Sequence, residues 1–98
     1  LSEHQKILKT KYDKALLNVS NEFQTEFGYP PSAPGKGNLN MCSNYVAETF
    51  GCLSLTLEMP FKDNANNPSA EFGWSLERSR EFGATNLEAI ARIVDDLR

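Results

Sequence analysis

The side chain best placed to do chemistry is Glu58, in the run Leu53-Ser54-Leu55-Thr56-Leu57-Glu58-Met59-Pro60-Phe61-Lys62-Asp63. The run alternates apolar and polar residues. In a strand, successive side chains point to opposite faces, so Leu53, Leu55 and Leu57 share one face and Ser54, Thr56 and Glu58 the other. Pro60 cannot donate to a sheet ladder, so pairing is expected to end near Met59. Glu58 then stands at the carboxyl end of a strand, where open α/β sheets bind their ligands. A carboxylate held rigidly there can serve as a general base. A solvated glutamate in a turn fits the same alternation.

A longer stretch carries a resemblance. Cys42 to Asp63, followed by Gly73-Trp74-Ser75 and Arg78-Ser79, resembles the C-terminal part of a zinc metallocarboxypeptidase, most nearly the bacterial branch of the cytosolic carboxypeptidases. In that family a strand carries the catalytic glutamate in a T-x-E setting, matched here by Thr56-Leu57-Glu58. The resemblance covers most of the chain after the first helix, and the first helix loosely. It implies that Glu58 is the general base and acid beside a zinc-bound water. Zinc lowers the pKa of that water toward neutrality. Glu58 accepts its proton during attack on the scissile carbonyl and returns it to the leaving amine.

The resemblance also implies a mobile substrate-binding tyrosine just after a strand. Tyr29 occupies that place, and an ordinary loop tyrosine covering the core is the alternative. The family holds its zinc with a His-x-x-Glu pair and a distant His. This sequence has one histidine, His4, on a surface helix, and no His-x-x-Glu. The zinc ligands and the family's carboxylate-binding arginine are therefore expected upstream, and the substrates are peptide or protein C-termini. The pocket position that is basic in relatives acting on acidic tails falls at Ser43. Lys36 and Lys62 are other sources of positive charge, or ordinary surface lysines.

Composition narrows the partners. Thirteen Asp and Glu stand against ten Lys and Arg, for a net charge of −3. No basic stripe interrupts this balance, so nucleic acid is not an expected partner. The apolar runs are far shorter than a membrane span, so no membrane is expected either. Leu1 opens directly into a polar helical pattern without signal-peptide features. Cys42 and Cys52 lie outside any C-x-x-C or zinc-knuckle spacing, which predicts free, buried thiols in a reducing compartment and a cytoplasmic location.

These residues need elements to place them. Ser2 with Gln5 forms a capping box for a helix reaching about Asn18, with Leu8, Tyr12, Ala15, Leu16 and Val19 along its apolar stripe. Phe23 to Tyr29 reads either as a helix end capped by Gly28 or as an alternating strand, and the family resemblance implies the strand. Pro30 to Gly37 is loop, and its Gly35-Lys36-Gly37 lacks the spacing of a P-loop. Met41 to Phe50 predicts a short helix with Tyr45, Val46 and Phe50 inward and Gly51 as its stop. Asp63 to Pro68 predicts turns, since Ala65 occupies a position where a calcium loop needs oxygen. Ser75 is expected to start a helical turn through Arg80, interrupted by Gly83. Thr85 with Glu88 should then cap a final helix that lays Leu87, Ile90, Ala91, Val94 and Leu97 on the sheet.

The expected fold class is α/β: the C-terminal portion of a carboxypeptidase-like mixed sheet flanked by helices. Residues 1–98 form one segment of a single catalytic domain, with the upstream part of that domain as its partner. One firm strand and one ambiguous one cannot make a stable sheet, so the segment is expected to be incomplete on its own, with the backbone partners of Leu53 to Leu57 largely missing. The alternative is a non-catalytic protein-interaction module of α/β type that binds through its unpaired strand. A segment of another α/β hydrolase is a third reading, and no Gly-x-Ser-x-Gly supports a serine nucleophile.

Overall fold

The computed structural model describes residues 2–26, 37–60, 62–65 and 67–97. Three helices organise them: α1 (Glu3–Val19), α2 (Cys42–Phe50) and α3 (Leu76–Ile93), the last running into a 3-10 turn at Val94–Asp96. No strand occurs among the described residues, so the expected α/β mixed sheet is corrected to an all-helical arrangement. Residues 53–59 carry the alternation of a strand but have no backbone–backbone hydrogen bond to other described residues. Alternation becomes a strand only where a neighbour supplies the ladder, and none of the described residues does so.

α1 begins as its sequence dictates. Ser2 Oγ accepts from the Gln5 amide at 3.1 Å, and Gln5 Oε1 accepts from the Ser2 amide at 2.8 Å. Leu8, Tyr12 and Leu16 of the expected stripe are buried. Gln5 also reaches across the fold. Its Nε2 donates to the carbonyls of Ala47 and Cys52, each at 2.9 Å, and pins the end of α2 to the first turn of α1.

α2 ends at Gly51 as expected, with φ +65° and its amide donating to the Ala47 carbonyl at 2.9 Å. Its inward face differs from the expectation. Ala47 is the buried residue, whereas Tyr45 and Phe50 are 55% and 72% exposed. The Gln5 bond draws in the small side of the helix and leaves the aromatic side in solvent.

α3 starts at Ser75, whose Oγ accepts from the Arg78 amide at 3.2 Å. It runs through Gly83 without interruption. Glycine inside a helix costs about 1 kcal/mol against alanine, less than burial of the apolar face of a continuous helix returns. Thr85 is not a cap; its hydroxyl donates to the Phe82 carbonyl at 2.8 Å. Continuity also changes the stripe. Phe82, Ala89 and Ile93 fall on one line and are buried, while Leu87, assigned inward above, is 70% exposed. Val94 and Leu97 are exposed as well.

Helix packs on helix. Tyr12 and Leu16 of α1 meet Phe82, Ala89 and Ile93 of α3, and Phe23, Leu53, Trp74 and Ile90 close around them. The final helix therefore lies on α1, where a sheet was expected.

Candidate functional site

Glu58 is solvent-exposed on the non-helical segment 53–60. Leu55 and Leu57 are 40% and 37% exposed, while Leu53 packs on the core. The segment is held at both ends. At its start, the Cys52 carbonyl accepts from Gln5 and Leu53 lies against the helices. Past its end, the Lys62 carbonyl accepts from the Trp74 amide at 2.6 Å. Gly73 makes that approach possible. Its φ is +60°, and a Cβ there would stand 2.2 Å from the Lys62 oxygen, so only glycine fits.

Arg78 organises this second anchor. Nε and Nη2 donate to the two carboxylate oxygens of Glu22 at 2.9 and 3.0 Å. Nη1 donates to Asp63 Oδ1 at 3.0 Å and to the Gly73 carbonyl at 2.8 Å. Nη2 also donates to the Asn67 carbonyl at 2.6 Å. All five donors of the guanidinium are thus used. The group lies 4.9 Å from the Trp74 ring centroid. Trp74 in turn donates from Nε1 to Ser79 Oγ at 2.9 Å and packs edge-on against Phe82 at 6.1 Å.

The Asp63 carboxylate accepts from the amides of Asn64 and Ser69 as well as from Arg78. The Asn67 amide donates to the Asn64 carbonyl at 3.1 Å and closes a turn within this stretch, as expected. Burial alone would raise the Asp63 carboxyl, but the bonds from Arg78, Ser69 and Asn64 outweigh it and hold the group below its ordinary value. The Glu22 bonds, working against burial and helped by Asp63, hold Arg78 still more firmly protonated than usual. A depressed carboxylate stabilises the fold above its unfolded pKa of about 4, and that stability is lost as pH falls through the lower folded value. Thermal melts of the intact protein should therefore lose stability on acidification in that window, and Asp63→Asn should flatten this acid limb. An unchanged pH profile in the variant would count against the assignment.

Tyr29 and Lys36 lie outside the described residues. Ser43 is half-buried on α2 and Lys62 is exposed. His4 is exposed on α1. Cys42 and Cys52 are both free thiols, as expected, but Cys42 is exposed rather than buried. Among the described residues, no three His, Cys, Asp or Glu side chains gather to hold a metal, so this donor set does not fit a zinc centre. No helix among them is long and apolar enough to cross a membrane. Arg78 stands in the family phrase of the sequence, but its role is not legible there. Its partners Glu22 and Asp63 lie 56 and 15 residues away, beyond the reach of any local pattern.

Comparison with known proteins places this arrangement. No protein-family model matches the chain. A metallo-carboxypeptidase from Pseudomonas aeruginosa, solved with (2-guanidinoethylmercapto)succinic acid, superposes with a TM-score of 0.95 at 41% identity, over 100% of this chain and 26% of that one. A proposed carboxypeptidase A of Shewanella denitrificans superposes at 0.96 with 48% identity, again over 100% of this chain and 26% of that one. Among curated proteins, an uncharacterized protein of Zymomonas mobilis is 37% identical over 97 residues, 99% of this chain and 26% of its own length. The chain thus spans about a quarter of the length of the proteins it matches. The resemblance to a segment of the metallocarboxypeptidases is shown, and it extends through the first helix.

Proposed function

We propose that the intact protein is a zinc-dependent metallocarboxypeptidase that removes C-terminal residues from peptides or proteins, with Glu58 as its general base and acid. The observation that carries this reading is sequence identity of 41% and 48%, at near-complete superposition, to two carboxypeptidase structures. In this reading the metal is held by residues outside this segment. The Glu58 carboxylate takes the proton of the attacking water and hands it to the leaving amine. Glu58 is exposed in this segment, and anchors at both ends of the segment limit its wandering. Tyr29 closes over the terminal residue of the substrate. The rest of the catalytic domain covers Leu55, Leu57 and Met59, which are apolar and exposed in this segment. The free thiols of Cys42 and Cys52 suit a reducing, cytoplasmic setting.

The Pseudomonas aeruginosa protein is bound to a substituted succinic acid, a ligand with free carboxylates, which supports a site that recognises a terminal carboxylate. The intact protein is expected to release single residues from peptides with a free C-terminus and to leave the amidated peptides intact. Amino-acid release followed by mass spectrometry measures both. Equal cleavage of free and amidated peptides would rule out carboxypeptidase action.

A further inference from the structure

We propose that Arg78 is the positioning residue for Glu58: its five hydrogen bonds hold the far end of the segment that carries the carboxylate. The proposal rests on the reading of Glu58 as the base.

Glu58 is followed by Met59 and Pro60, and only Phe61 separates Pro60 from the anchored Lys62. Proline locks its own φ and restricts the residue before it to extended conformations. Proline thus fixes one torsion between Glu58 and Lys62 and narrows those of Met59, so part of a shift at the anchor is passed back toward the carboxylate.

The anchor depends on Arg78. The described residues after Lys62 have no regular secondary structure up to α3. Asp63, Asn67 and Gly73 mark the beginning, middle and end of this loop, and each accepts from the Arg78 guanidinium. The Glu22 carboxylate fixes the guanidinium from the far side through two parallel bonds. Holding the Gly73 carbonyl keeps Trp74 against the Lys62 carbonyl, the contact that ends the Glu58 segment. Of the described loop residues only Trp74 packs against the helical core of Tyr12, Leu16, Phe82, Ala89 and Ile93, and none belongs to its buried cluster. Disturbing the guanidinium therefore acts first on the loop and on Glu58. Lysine retains the charge but has three donors and no planar fork, so it cannot reproduce the set.

The test is a double-mutant cycle on the intact protein, with Arg78→Lys and Glu58→Gln alone and together. A displacement of the base by about 1 Å costs on the order of hundredfold, so R78K should lower kcat by about that factor while KM stays close to the parent value. In the E58Q background the same change should cost almost nothing further, because the group it positions has already been removed. Near-parental kcat in R78K, or an equal loss in both backgrounds, would overturn the positioning role. A parental rate in E58Q alone would overturn the assignment of Glu58 itself, a distinguishable result. If R78K does not fold, Asp63→Asn replaces it in the cycle. It keeps Arg78 and weakens one anchor, and its kcat loss should vanish when Glu58 is already Gln. A D63N loss of the same size in both backgrounds would overturn the proposal.

Discussion

Glu58→Gln in the intact protein is expected to lower turnover by at least about hundredfold, the usual cost of losing a general base. The substitution keeps the shape of the side chain and removes its ability to accept a proton. Glu58 is exposed and lies outside the helical core, so neither the fold nor the metal content should change. Thermal melts and elemental analysis check those two points, and steady-state hydrolysis of a peptide with a free C-terminus checks the rate. Near-normal turnover would remove Glu58 from the proposed mechanism.

Residues 1–98 produced alone should fail to give a stable, cooperatively folded monomer. The chain exposes 7559 Å² at a mass of 11.0 kDa. A compact monomer of that mass exposes about 5,600 Å². Its radius of gyration, 14.7 Å, also exceeds the roughly 12.6 Å of a compact domain of this length. The excess is apolar in part: Phe50, Met59, Phe72, Leu76 and Leu87 are all at least half exposed. The buried cluster of five side chains is small against the conformational entropy that folding must overcome. Sedimentation and Trp74 fluorescence during urea unfolding are expected to show aggregation or a broad, non-cooperative change. A sharp two-state transition from a monomer would contradict this and favour a self-sufficient interaction module.

What could be read from the chain was what neighbours in sequence decide together. The Ser2–Gln5 box, the Gly51 stop and the start of α3 at Ser75 each depend on bonds spanning three or four residues. The carboxypeptidase phrase around Glu58 is likewise contiguous, and the likeness it carried holds over the whole segment. The errors came where distant partners decide. Leu53, Leu55 and Leu57 alternate as a strand should, yet alternation supplies no partner for the backbone, and no ladder formed among the described residues. Thr85 and Glu88 spell a capping box that went unused, because the face of Phe82, Ala89 and Ile93 packs on α1 only if the helix runs through Gly83. Gln5 was legible as a cap, but its bonds to Ala47 and Cys52 cross 42 and 47 residues. Arg78 joins Glu22 across 56 residues. Such pairs form when packing brings remote stretches within 3 Å, and tertiary structure alone decides that: local capping is settled within a turn, whereas a guanidinium's five partners are chosen by the closure of the whole chain around it.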